Sequence, residues 1–181
     1  MTLVMRKKRD RGRATPRDVV PAIEIVMQSP LWKEQRNAKP LLRRAITEAA
    51  AMVPATGGEL AVVLTDDAAI RALNRDWRRK DAATNVLSFP AQEQRGAAGI
   101  PRLLGDIVIA YETTEREARA EHKSFAHHLA HLAVHGFLHL AGFDHETDDE
   151  AVVMEKLETR ILAQLAIPDP YIARHCPARD A

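Results

Sequence analysis

The sequence predicts an α+β protein of one domain: a small mixed four-stranded sheet packed with about five helices. Three observations carry this expectation. The chain has 181 residues, the length of one domain with tails. Its apolar fraction, 46%, is ordinary for a globular protein. Strand-like runs alternate with helical ones up to about residue 110, and only helical patterns follow. The expected divisions are a disordered basic tail at 1–18, a folded domain at 19–171 and a polar tail at 172–181.

Each element has a local reason. Residues 22–27 alternate and are rich in β-branched side chains, which predicts a first strand ended by Ser29-Pro30. Leu41, Leu42, Ile46 and Ala49/Ala50 recur at helical spacing, so a helix is expected over 40–52, stopped by Pro54 and Gly57-Gly58. Residues 60–64 form a second strand. Thr65 is the expected cap of a short helix through Asn74, with Ile70 and Leu73 facing inward. Residues 86–89 are a third strand ended by Pro90, 91–104 a loop, and 106–110 a fourth strand. Helices then follow at about 113–122, from Ser124 to Gly142, and from Thr147. Thr147 and Glu150 form a capping box, with Val152, Leu157, Ile161 and Leu165 as the apolar face.

Charge and cysteine use narrow the class. The 26 Lys+Arg against 25 Asp+Glu give a net +1. Residues 1–18 hold seven basic and two acidic groups, a net of +5, which leaves 19 against 23, a net of −4, on the other 163 residues. One cysteine, Cys176, allows no intrachain disulfide. No apolar stretch follows the basic start, so no secretory signal is expected. The apolar stretch 125–142 is short for a membrane span and is interrupted by five histidines, so it reads as a buried helix. A cytoplasmic protein without a membrane partner is expected.

The chemistry lies in residues 135–145. His135 and His139 are four apart, which on a helix places both imidazoles on one face, about 6 Å apart. Gly142 can turn the chain and let His145 fold back toward them. This H-x₃-H-x₂-G-x₂-H spacing is that of metzincin zinc proteases, so one Zn²⁺ held by His135, His139 and His145 is expected on a helix and its following turn. Three imidazoles leave a fourth position for water, the pattern of a catalytic site. The metzincin general base, a Glu directly after the first His, is replaced by Gly136, so a peptidase would lack its base. His127, His128 and His131 are read as packing or supporting groups, with His131 one turn from His135; His122 and His175 carry no signal. Asp144 either accepts from an imidazole or stabilises the turn.

A second dense stretch, residues 73–90, places Arg75, Arg78, Arg79 and Lys80 beside Trp77. Arginine is a planar, permanently charged phosphate donor, so this stretch reads as a phosphate clamp. Three blocks together resemble the YbeY family of bacterial metal-dependent endoribonucleases. They are Leu73-Asn74…Trp77-Arg78…Lys80-Asp81…Thr84-Asn85-Val86-Leu87-Ser88-Phe89-Pro90, then Leu104-Gly105-Asp106-Ile107-Val108-Ile109, then His135-Gly136…Leu138-His139-Leu140…Gly142…Asp144-His145.

The resemblance covers roughly residues 20–171. It implies a zinc-bound α+β domain that cleaves single-stranded RNA, matures ribosomal RNA at the 3′ end of the 16S species, and takes part in ribosome quality control. The implied partners are ribosomal RNA, the small ribosomal subunit and ribosome-associated proteins. It implies His135, His139 and His145 as zinc ligands and Arg78 as the catalytic arginine. The chain departs from the family pattern at Trp77, often Tyr, at Arg79, often Gly, and at Ala83, often Pro. Alternatives are a zinc peptidase-like hydrolase, or a metal-stabilised ribosome-assembly factor with little catalysis of its own. With a body of net −4, attraction to RNA must come from the Arg75–Lys80 region, helped by the basic tail.

Overall fold

The computed structural model describes residues 20–53, 57–91 and 102–172. Four strands form one sheet: β1 (Ala22–Met27), β2 (Glu59–Thr65), β3 (Val86–Pro90) and β4 (Leu103–Ala110). Their order is β1-β2-β4-β3. The β1/β2 and β2/β4 pairs are parallel, and β3 runs antiparallel to β4 at the edge. Five helices complete the fold: α1 (Ala38–Met52), α2 (Asp67–Arg78), α3 (Tyr111–Ala120), α4 (Phe125–Leu140) and α5 (Asp148–Gln164). The expected α+β class and the mixed four-stranded sheet are observed.

The strand period of two sends alternate side chains to two different layers. Val62, Leu64, Ile107 and Ile109 face the main core, filled by Leu42 and Ile46 of α1, Leu129, Val134 and Phe137 of α4, and Met154 and Ile161 of α5. Leu87, Val108 and Ala110 face the other way, onto Ile70 of α2. Helix α4 therefore packs on one face of the sheet and α2 on the other. Ten residues of α4 are buried, which is why its sequence is apolar almost all round. No helix among the described residues is long and apolar enough to cross a membrane.

The differences from expectation are local and have causes. Thr65 does not cap α2: it completes the β2 ladder opposite Ala110, and Asp66 caps instead, accepting from Ala69 N–H at 3.0 Å. Helix α2 runs on to Arg78 because Arg79, at φ 60°, supplies the left-handed residue that closes it. Strand β4 starts at Leu103, three residues early, paired with Glu59. The expected loop at 91–104 and the expected tail at 172–181 fall mostly on residues outside the described ones, and the tail at 1–18 falls wholly outside them. A 3-10 turn at Pro30–Glu34, started by Ser29, follows β1 where only a chain break was expected. It inserts Trp32, fully buried, whose indole N–H donates to the Thr65 carbonyl at 2.8 Å.

Helix α5 carries the capping box read from Thr147 and Glu150. Its buried face is rotated from the expected one. Val152 is 47% exposed, and Met154, Glu158, Ile161 and Leu162 point inward.

Candidate metal centre

Helix α4 presents His135 and His139 on one face. It ends in a double hydrogen bond, Gly142 N–H to His139 carbonyl and Phe143 N–H to Leu138 carbonyl. Gly142 adopts φ 91°, the left-handed conformation this closure needs, which glycine takes without strain. The chain thereby reverses and returns His145 over the helix end. Two residues later the capping box fixes the start of α5.

The three imidazoles converge. One ligand nitrogen from each of His135, His139 and His145 lies within 4.8 Å of the others. His135 Nε2 and His139 Nε2 are 3.1 Å apart. Around a tetrahedral zinc with ~2.0–2.1 Å bonds, ligand nitrogens stand about 3.3 Å apart. The donor set and spacing thus fit a single ion. His135 and His139 are partly buried and His145 is exposed, so the open side faces solvent.

Behind His135 sits a residue the sequence reading missed. Glu158 of α5 is fully buried. Its Oε1 accepts from His135 Nδ1 at 2.8 Å and its Oε2 from His131 Nε2 at 2.9 Å. The Tyr171 hydroxyl donates to the same Oε2. Burial works to raise the Glu158 pKa, but the hydrogen bonds and charges of His131 and His135 overcome it and hold it at about 2. An ionised carboxylate only accepts, so His135 must carry its proton on Nδ1. Its lone pair then sits on Nε2, facing the centre.

Burial, together with the neighbouring His135 and His145, lowers the His139 pKa. That favours the neutral, ligating form. Asp144 Oδ1 accepts from His145 N–H at 2.9 Å but stands 3.9 Å from His139 Nδ1, too far for a hydrogen bond. Of its two expected roles, the turn is the one observed.

Two other histidines of α4, His128 and His131, are supporting groups. His128 Nε2 lies 2.9 Å from Glu117, which also accepts from Asn85 Nδ2 at 2.8 Å. Burial would raise the Glu117 pKa, but these bonds lower it on balance. His131 spends its Nε2 on Glu158 and does not join the triad. A cavity of about 940 Å³ opens beside the triad, lined by His128, His131, His135, His145, Glu158 and Tyr171, among others.

Gly136 occupies the position of the metzincin base, and its surroundings explain the glycine. A Cβ there would come within 2.8 Å of Ile107 Cγ2 and 3.1 Å of Ser88 Oγ. Ser88 Oγ itself donates to the Gly136 carbonyl at 3.2 Å. This side of α4 is pressed onto the sheet, so a side chain here would meet β3 and β4. Gly136→Ala is expected to cost about 1–3 kcal/mol by overpacking, read as a lower urea midpoint.

Arg78 lies elsewhere. It is exposed in the last turn of α2, across the sheet from α4, and does not line the cavity beside the histidines. Asp81 takes a bidentate pair from Arg71 at 2.8 and 2.9 Å, and Asp76 pairs with Arg75 at 3.0 Å. The structure thus brings the three histidines together, and Arg78 is not among the residues that line the cavity beside them.

Comparison with known proteins shows the family. A family profile described as "Endoribonuclease YbeY" matches residues 27–166. A Nitrobacter hamburgensis protein named endoribonuclease YbeY is 55% identical over 157 residues, covering 84% of this chain and 83% of that one. A Bradyrhizobium protein of the same name is 54% identical over 164 residues, covering 88% and 97%. One from Rhodopseudomonas palustris is 57% identical over 157 residues, covering 84% and 91%. A Thermotoga maritima protein solved in solution aligns over 88% of this chain and 99% of its own, at 23% identity and a TM-score of 0.48. With the profile spanning strands β2 to β4, the histidine helix and all of α5, and relatives at this identity, the chain belongs to the endoribonuclease YbeY family.

Proposed function

We propose that the chain is a zinc-dependent endoribonuclease specific for single-stranded RNA. Its role is maturation of the 16S ribosomal RNA 3′ end and ribosome quality control, in the cytoplasm, with ribosomal RNA and the small ribosomal subunit as partners. The observation that carries the hydrolytic reading is the convergence of His135, His139 and His145 with one open side. Three imidazoles suit zinc, a borderline ion that takes nitrogen ligands readily. The ribosomal part rests on the family resemblance.

His135, His139 and His145 would hold the ion, which when bound polarises a phosphoryl oxygen and acidifies water. Glu158 fixes the His135 ring and its tautomer. Arg78, with no acidic partner among the described residues, is assigned to the scissile phosphate, where its planar fork can stabilise added negative charge. Gly136 argues against a peptidase, since that position faces the sheet and carries no proton-transfer group.

The test joins metal analysis of the purified chain to RNA cleavage with and without chelator. One zinc per chain, cleavage of single-stranded RNA and its loss with chelator are expected. Arg78→Ala should lower cleavage about 10²–10³-fold with RNA still bound. Unchanged cleavage in that variant would remove Arg78 from the mechanism.

A further inference from the structure

The side chain of Trp77 has no part in the chemistry above. The chain has two tryptophans. Trp32 is fully buried, whereas Trp77 is 71% exposed. Single exposed apolar side chains are common, so exposure alone decides nothing. Three further features set Trp77 apart.

Its ring is held in place. It packs against Phe89 with centroids 5.7 Å apart and planes at 64°. Next, Arg78, Arg79 and Lys80 follow it directly and are all exposed, and none of them forms an ion pair among the described residues. The two acids of this stretch are already taken by Arg71 and Arg75. Finally, Arg79 closes α2 at φ 60°. That conformation costs a side-chain-bearing residue about 1–2 kcal/mol and costs glycine nothing. The position thus carries a cation at some expense to the backbone.

An aromatic face beside unpaired cations complements a polyanion with flat, apolar bases. Trp and Arg also anchor protein interfaces, but there they sit in a core of several apolar side chains from which Lys is depleted. Among the described residues, no other large apolar side chain of α2 is exposed. We propose that Trp77, Arg79 and Lys80 form a stacking subsite for an unpaired nucleobase of the RNA, with Trp77 against the base and the two cations on flanking phosphates. This rests on the endoribonuclease reading and adds to it where the strand is gripped.

The subsite lies one strand away from the metal centre. Ser88 and Phe89 are consecutive on edge strand β3: Ser88 reaches Gly136, next to His135, and Phe89 reaches Trp77. A flexible strand crossing this edge can touch both. A duplex keeps its bases stacked and paired and has no free face to give Trp77. The subsite therefore selects for single strands at a point separate from the cleaving residues.

The test uses the full metal-loaded chain and a short single-stranded 2′-O-methyl oligouridylate, shown intact by gel after titration. Tryptophan fluorescence should be quenched in the wild type. It should be unchanged in Trp77→Phe, where only buried Trp32 emits. Trp77→Ala should bind about 5- to 150-fold more weakly, and Arg79→Gly should lower the salt slope of binding by about 0.7. A duplex of the same length should not quench. Absence of quenching, as when Trp77 serves a protein partner instead, would overturn the subsite, and so would equal affinity of Trp77→Ala and wild type. Quenching in a chain that cuts no RNA would overturn the endoribonuclease reading and leave the subsite standing. Cleavage with Trp77→Ala unaffected in binding would do the reverse.

Discussion

A His139→Ala chain is expected to stay folded and to lose its metal and its RNA cleavage together. His139 projects from a helix whose neighbouring positions, Leu138 and Leu140, are buried and remain to hold the fold. Alanine also favours helix more than histidine does. The ligand itself has no substitute nearby, since His131, the next imidazole along α4, already gives its Nε2 to Glu158. Zinc binding is worth roughly 10–16 kcal/mol over four ligands in structural sites. One ligand then accounts for about 2.5–4 kcal/mol, on the order of 10²–10³ in affinity. Zinc competition with a chromophoric chelator measures that loss. With metal removed from both chains, circular dichroism and the urea midpoint should match those of wild type. A variant that kept its zinc would exclude His139 from the ligand set.

Glu158→Ala is expected to show the opposite balance, with a large loss of stability and a smaller loss of metal. The carboxylate is fully buried and serves three donors, from His131, His135 and Tyr171. Removing it leaves those donors without their acceptor in a space where water cannot replace it freely. Breaking a buried charged network in this way costs about 3–5 kcal/mol. Metal affinity should fall about 10–100-fold, the usual cost of losing a group that orients a ligating histidine. Glu158→Gln should be milder in volume but still defective, because its amide nitrogen would face an imidazole N–H. Urea unfolding and zinc competition on the same samples separate the two effects. If Glu158→Ala kept wild-type stability, the buried network would not be structural. If it kept wild-type affinity, the His135 tautomer would not depend on it.

These two residues also show what a sequence can and cannot reveal. The triad was legible because its geometry is local. A four-residue step on a helix and a glycine turn three residues later depend on nothing distant. Glu158 depends on partners 23 and 27 positions earlier, brought near only by packing of α5 on α4. One sign was available. Met154, Glu158, Ile161, Leu162 and Leu165 follow helical spacing, so an acid stands within an apolar stripe. Reading the stripe through Val152 and Leu157 stepped past it.

The fold was legible to a similar depth. Strand and helix positions followed from periodicity and stop signals, and the Thr147 capping box from four residues. Sheet order did not, since nothing local places β4 between β2 and β3. That order sets α2 and α4 on opposite faces of the sheet. The choice of Asp66 over Thr65 as cap likewise hangs on Thr65 pairing with Ala110, 45 residues away.

Helix α4 is wedged between the sheet and α1 and α5, with ten residues buried. In terms of native-state hydrogen exchange, such a helix belongs to the slowest-exchanging unit, whose amides open only with global unfolding. His145 lies outside it, on an exposed loop between two helix caps. Breathing of the molecule therefore releases the third imidazole long before it disturbs the first two. The rate at which a bound metal exchanged would then be set by that loop, and the position it returned to by the helix.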